Sequence, residues 1–191
     1  MSHFFAYMFR MKQIHRWGLM RNTQSENDLE HALQVAMIAH VLATLHNVRY
    51  GGCVNADAVA TLALYHDAGE VITGDLATPI KYFNPEIKQA FQHLERIAEE
   101  RLLTMLPKDL QSIYAPLLLQ DRADERIRWV KAADKIAAYL KCVEEIKVGN
   151  GEFEKARDAT RRVIDDMQEA EVADFMREFA PSFMLTLDEL N

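Results

Sequence analysis

Cysteine, glycine and proline are all scarce in this chain of 191 residues, which has two, seven and five of them. Cys53 and Cys142 lie far apart and form no C-x-x-C pair. That excludes a disulfide-stapled scaffold and points to free thiols in a reducing compartment, the cytoplasm. So few glycines and prolines leave little punctuation for a turn-rich β-fold. No apolar run approaches the roughly 18 residues of a membrane span, so no membrane partner is expected. Positive charge is not in excess either. Lys and Arg number 22 against 29 Asp and Glu, for a net charge of −7 and a pI near 5.5, the opposite of a surface built to grip a nucleic acid polymer. The opening "MSHFFAYMFRMKQIHRW" has neither a continuous apolar region nor a small-residue cleavage site, and reads as an amphipathic helix, not a signal peptide.

What the sequence does have is helical periodicity, with strand-like alternation nearly absent. Residues 2–15 place Phe5, Met8, Phe9 and either Met11 or Lys12 within helical turns. Residues 29–47 carry a stripe of His31, Val35, Ile38, Leu42 and Leu45, ended by Gly51 and Gly52. Asn55 is an N-cap for a helix through about Ala68, and 70–83 reads as a loop with one helical turn. Asn84-Pro85 opens a helix to about Met105. Pro107 and Pro116 bracket a short helix, a long one runs from about Asp124 to Val148, and a last one from about Glu152 to Phe179. With no repeat or linker, residues 1–191 are expected to form a single all-α domain, a bundle of about six or seven helices.

Three anomalies interrupt the apolar faces. His31 opens the stripe of the second helix. His66 and Asp67 stand where the stripe of Val59, Leu62 and Ala63 calls for leucine. Asp134, between Val130 and the pair Ala137 and Ala138, again faces inward. A carboxylate on such a face costs several kcal/mol unless it is paired or bound to a metal. Two imidazoles and two carboxylates satisfy one another by holding one divalent ion, and this mixed N/O set suits Mn²⁺, Fe²⁺, Co²⁺, Ni²⁺ or Zn²⁺ better than Mg²⁺ or Ca²⁺. Four protein ligands on an octahedral ion leave positions for a water and a substrate oxygen, as hydrolysis requires. Lone histidines on apolar faces are ordinarily core residues, and His3, His15, His40, His46 and His93 are read as having no metal role.

The order His … His-Asp … Asp, with "HDAGE" at its centre, resembles the HD-domain metal-dependent phosphohydrolases. Longer stretches, "HRWGLM", "SENDLEHALQVAM", "YHDAGEVITGDLATPIKYF", "ADKIAAYLKCVEE" and "PSFMLTLDE", are similar to the bacterial 5′-deoxynucleotidases of that superfamily over essentially the whole chain. Gly69 departs from the pattern, where a serine is expected, at a position that is not a ligand. The resemblance implies an HD-domain helical bundle and makes His31, His66, Asp67 and Asp134 the ligands of one divalent transition metal ion per chain, Co²⁺, Mn²⁺ or similar. It also implies hydrolysis of deoxyribonucleoside 5′-monophosphates to deoxyribonucleoside and phosphate, with little base preference and discrimination against ribonucleotides, by a homodimer.

Glu70 follows His66 by four residues, one turn along the same face of a continuing helix. Its candidate role is general base or orienter for the nucleophilic water, with Asp67 the competing base. Arg16 is the candidate phosphate clamp, which would offset charge on the transferring group. Trp17 is the candidate apolar wall for sugar or base. Asp75 is placed to accept from the sugar 3′-hydroxyl. The resemblance sets Asp75, Leu76, Ala77 and Thr78 on the substrate, which is expected to lie also against His31, Asp67 and Asp134. Lys81, Lys88 and Glu144-Glu145 are read as solvated face and Cys142 as packed. Phe153, Phe175, Phe179 and Phe183 are read as core by default. A di-iron oxygenase would need further inward histidines, and His40 falls on the face opposite His31.

Overall fold

Phe4 and Met8 bury one edge of a short helix, α1 (Phe4–Met8), before the chain tightens into a 3₁₀ turn (Phe9–Gln13) that buries Met11. The computed structural model describes residues 1–81, 83–121 and 123–190. The helix expected over 2–15 is therefore two short pieces, and Phe5 and Phe9 point to solvent.

Asn27 starts the long helix α2 (Asp28–Tyr50) with a capping box: its side chain accepts from the Leu29 and Glu30 amides, and Glu30 accepts from the Asn27 amide at 3.1 Å. The helix ends where Gly51 takes a φ of 73°, a left-handed conformation that glycine adopts without a Cβ penalty. The whole expected stripe of His31, Val35, Ile38, Leu42 and Leu45 is buried. Asn55 caps α3 (Ala56–Leu64), which is shorter than the sequence suggests. Two brief helices follow, α4 (Glu70–Thr73) and α5 (Thr78–Lys81). Then Asn84 caps α6 (Pro85–Thr104), with proline in its first turn as expected.

Pro116 does not end the next helix but lies inside α7 (Lys108–Leu118), in its last turn, where the missing N–H removes one ladder bond. After α8 (Ile127–Lys147) comes a 3₁₀ turn (Gly151–Phe153). The single helix expected over 152–179 is two, α9 (Glu154–Asp166) and α10 (Ala170–Glu178), separated where Gln168 adopts a φ of 53°. Two further 3₁₀ turns close the described chain (Ala180–Met184 and Leu187–Leu190). The all-α class holds, and the helix count rises above six or seven because α4 and α5 form within the stretch read as a loop and the C-terminal pattern splits into α9 and α10.

α2 packs chiefly on α3 and α8, and α8 on α9. One apolar cluster gathers Val35, Leu42, Leu62, Ile136 and Phe175 from α2, α3, α8 and α10, and a second gathers Phe4, Met11, Ala68 and Leu102 below α1 and α6. The second cluster also takes Ala32 from α2, so both draw on that helix. His31 lies just before Ala32, fully buried beside both clusters.

Candidate active site

Four elements bring the site residues together. The first is an extended arm after the 3₁₀ turn, held to the start of α2 by a single antiparallel bridge, His15 to Asn27. The Arg16 amide donates to Glu26 O at 2.9 Å and the Asp28 amide to Ile14 O at 3.0 Å. The bridge fixes Arg16 beside the first turn of α2, which delivers His31. The third element is the turn 65–69. The α3 ladder stops at Leu64, and from there the amides bond three residues back: His66 to Ala63, Ala68 to Tyr65 and Glu70 to Asp67. His66 and Asp67 thus leave from a tight turn, not from a helix face, and Glu70 sits at the start of α4. Asp134 comes from the middle of α8, the fourth element.

His31, His66 and Asp134 each offer a ligating atom, all within 4.8 Å of one another. His31 Nε2 is 3.1 Å from Asp134 Oδ1, and His66 Nε2 is 3.1 Å from Asp67 Oδ2. Ligands bonded to one small ion at right angles stand about 3 Å apart, so these separations suit a single centre. Asp67 lies at the edge of the group, its Oδ2 4.0 Å from His31 Nε2 and 3.2 Å from Arg16 Nη1. The tautomer of His66 fits as well. Its Nδ1 donates to the Ala63 carbonyl at 2.8 Å, which leaves Nε2 with a free lone pair, and that atom is buried without a hydrogen-bond partner. On His31 the other ring nitrogen faces Glu26 Oε1 at 3.4 Å, the carboxylate support that orients a metal-bound imidazole.

Around this centre the charge is lopsided. Glu26, Asp28, Asp67, Glu70, Asp75 and Asp134 surround Arg16, His31 and His66. Burial opposes a charge on His31, but Asp134 and Glu26 override it and raise its pKa to about 9. Burial likewise opposes the charge on Asp67, yet His66 and Arg16 hold that carboxyl well below the usual range. Asp134 is held low by His31 and by Lys135, which donates to Oδ2 at 2.8 Å, again against burial. Glu70 goes the other way. Burial, with Asp67, Asp28 and Asp75, pushes it up to about 11, and Arg16 offsets only part of this. Asp28, fully buried, is pushed by burial to about 6. A pocket with this excess of carboxylates is one that a divalent cation relieves.

Trp17 takes a φ of 59°, a strained conformation for a bulky side chain. Its indole donates to Glu26 Oε2 at 2.8 Å and its ring packs on Phe153 at 5.3 Å. Asp75 is partly buried and its pKa is raised, by burial first and then by Asp67, while Arg16 and Lys81 pull it down. It therefore faces the cluster electrostatically. Leu76 and Ala77 are partly buried in the link to α5, and Thr78 opens that helix exposed.

Sequence reasoning missed Glu26 and Asp28. Glu26 touches His31, Trp17 and Arg16 (3.8 Å from Nε), and Asp28 Oδ1 is 3.6 Å from Arg16 Nη1. Their signal was the acidic "SENDLEH" before His31, which reads as ordinary helix capping. Two solvated-face readings also fail. Glu145 is 1% exposed and accepts from Lys141, Thr23, Gln24 and Asn150. Lys81 is partly buried and donates to Glu95 at 2.7 Å. Lys88 and Glu144 are exposed, Cys142, Phe153 and Phe175 are buried, Phe183 packs partly buried against the core, and Phe179 is 40% exposed. His40 faces solvent, opposite His31. A Cβ at Gly69 would meet its neighbours at ordinary van der Waals distances, so the turn does not demand glycine there.

A His/His/Asp cluster, with His31 buried and His66 and Asp134 half-buried, carried by two long helices and a turn of an all-α bundle defines the HD-domain fold. An HD-domain phosphohydrolase from Listeria innocua superposes with a TM-score of 0.82 at 24% identity, over 97% of this chain and 90% of that one. The cyanophage S-2L HD phosphohydrolase DatZ, bound to dA and one catalytic Zn²⁺ ion, superposes at 0.61 with 22% identity, over 94% and 95% of the two chains. Within that fold the chain belongs to the 5′-deoxynucleotidase YfbR-like family, whose sequence model matches residues 3–183. It is 50% identical over all 191 residues to the 5′-deoxynucleotidase YfbR of Escherichia coli O1:K1 / APEC, covering 96% of that protein.

Proposed function

We propose that this chain is a metal-dependent 5′-deoxynucleotidase. It hydrolyses deoxyribonucleoside 5′-monophosphates to deoxyribonucleoside and phosphate, with little base preference and against ribonucleotides. The observation that carries the metal dependence is the buried, unpartnered Nε2 of His66 facing His31, Asp67 and Asp134. These four side chains would hold one divalent transition ion of the Co²⁺ or Mn²⁺ type. Bound there, the ion would supply Lewis acidity and would lower the pKa of the attacking water.

In the reaction an O–P bond forms from water, the P–O5′ bond breaks, one proton leaves the water and one reaches the 5′-oxygen. Asp67 and Glu70 have been driven to opposite protonation states, the pattern that separates an ionised support from a proton carrier. Asp67, bonded to Arg16, serves as ligand. A divalent cation among these carboxylates would bring the raised Glu70 carboxyl back down, and Glu70, once ionised, would accept the water proton and return it to the leaving oxygen. Arg16 offsets charge on the transferring phosphoryl group. Trp17 and the stretch Asp75, Leu76, Ala77 and Thr78 face the sugar, together with the open edges of His31, Asp67 and Asp134.

The substrate shares a phosphate and a sugar across all bases, so selectivity rests on those parts. An unaccommodated 2′-hydroxyl loses its hydrogen bonds to water in a closed pocket. Phosphate release from the four deoxynucleoside monophosphates and their ribose counterparts, with and without Mn²⁺ or Co²⁺, tests the reading. Equal rates on both sugars, or activity without any metal, overturn it. Residues 1–191 act as one domain, a reading supported by two apolar clusters that share α2. Homodimer assembly is supported by an exposed stripe on α2, Leu29, Leu33 and Met37, and light scattering on the purified chain checks it. No described helix is long and apolar enough to cross a membrane. The cytoplasmic assignment rests on the two free cysteines, one exposed and one buried.

A further inference from the structure

Behind α4, away from the cluster, lies a cavity of about 560 Å³ lined by His3, Ala6, Tyr7, Arg10, Val71, Ile72 and Arg101. Arg10 comes from the 3₁₀ turn after α1, Arg101 from the last turn of α6, and Val71 and Ile72 from α4. Its volume is in the range of small-molecule sites, roughly 300–1,000 Å³. Its charge runs against the rest of the protein. In this acidic chain Arg16, Arg49, Arg96, Arg126, Arg161 and Arg177 each face a carboxylate. Arg10 and Arg101 have no ion pair or side-chain hydrogen bond among the described residues, and no carboxylate lines the cavity. Two guanidinium groups therefore share one concave surface with an imidazole and with no carboxylate in its lining. The remaining wall, Val71, Ile72, Ala6 and the Tyr7 ring, is largely apolar.

We propose that this cavity is a second ligand site, separate from the metal cluster, for an organic phosphate. The phosphate dianion sits between Arg10 and Arg101 with His3 at its side, and the organic part lies on Val71, Ile72 and Tyr7. Guanidinium groups bind phosphate oxygens through paired N–H donors, and two of them match the two charges of the dianion. The apolar wall accounts for a phosphate ester in preference to the bare ion. The occupant lies directly behind the helix that opens with Glu70.

Phenylphosphonate is a suitable probe, because it carries the dianion and an apolar ring and contains no ester to hydrolyse. Calorimetric titration into the metal-loaded protein is expected to show two binding events per chain, one at the metal cluster and one here. In Arg10→Gln/Arg101→Gln the second event should weaken by at least about tenfold while the first persists, with Arg→Lys at both positions falling between. Turnover of a deoxynucleoside monophosphate should be unchanged, since neither arginine belongs to the catalytic machinery, and this also reports folding. Should the double variant lose turnover, Arg101→Gln alone, exposed on α6, takes its place. Inorganic phosphate should bind the second site more weakly than phenylphosphonate. Equal numbers of events in wild type and variant, or equal affinity for the two probes, would overturn the proposal. A single event in the wild type would do the same.

Discussion

Two buried carboxylate clusters flank the segment 14–28, and they are built on opposite rules. At one end Glu145 is saturated. It accepts from the Thr23 amide at 2.9 Å and hydroxyl at 2.7 Å, the Gln24 amide at 3.2 Å, Asn150 at 2.9 Å, and the buried Lys141 ammonium. At the other end polar atoms are left over. Both oxygens of Asp28, Glu26 Oε1, Glu70 Oε2, His31 Nδ1 and His66 Nε2 are buried with no hydrogen-bond partner. Satisfied burial holds a loop in place. Unsatisfied burial costs about 1–3 kcal/mol per group and persists where a ligand or ion is to supply what is missing.

The most damaging way to break the contrast is at the open cluster. His66→Ala should abolish stoichiometric metal binding and lower turnover by roughly 10⁴-fold or more, because Lewis acid and nucleophile go together. Thermal stability of the apo-protein should fall only modestly, because the bond from His66 Nδ1 to the Ala63 carbonyl is lost while the buried, unpartnered Nε2 is removed with it. Elemental analysis beside a melting curve reads both.

Glu70→Ala should cost about 10²–10⁴-fold in turnover, the range for a lost acid–base group, with metal content near normal. Loss of the metal along with activity would make Glu70 a ligand or its support.

The saturated cluster should respond in the reverse sense. Glu145→Ala strands Lys141 in the interior and should cost about 3–5 kcal/mol of stability by chemical denaturation, while activity per folded molecule is retained. Acid sharpens this arm. Burial pushes the Glu145 carboxyl up, but bonds from Lys141, Thr23 and Asn150 pull it well below its ordinary range. Its contribution is therefore complete above the unfolded pKa of about 4.3 and is lost as pH falls below it. The stability of Glu145→Gln should fall less steeply than wild type on acidification below that point.

The smallest effect is expected at Glu26, which belongs to both worlds, bonded to Trp17 yet facing His31. Glu26→Gln keeps the shape and removes the charge, and should weaken metal affinity by about 10–100-fold in a competition titration.

The parts of the fold that sequence reveals are those governed by local rules. Asn55 and Asn84-Pro85 mark helix starts, and the stripe from His31 to Leu45 is buried throughout. The end of α3 was illegible because distant side chains make it. Gln120 donates to the Leu62 carbonyl at 2.8 Å and the His66 ring to that of Ala63, which takes up carbonyls that a continuing helix would use. The break at Gln168 is illegible too, since neither glycine nor proline announces its positive φ. At the site, His31, His66, Asp67 and Asp134 stood out because each interrupts an apolar pattern. Glu26 and Asp28 did not, because acids at a helix start are ordinary there. Glu145 was mistaken for surface because its neighbour Glu144 is surface.

The bridge between His15 and Asn27 has a consequence for how substrate is met. Arg16, the proposed phosphate clamp, is not at the tip of a free arm. It is clasped to the same turn that starts α2, and the loop between is pinned at Thr23 and Gln24 by Glu145. The entropy of ordering the arginine is lost once, during folding, and not again at each encounter. The guanidinium and the histidine helix arrive as one preorganised jaw, and the distant saturated cluster is its hinge pin.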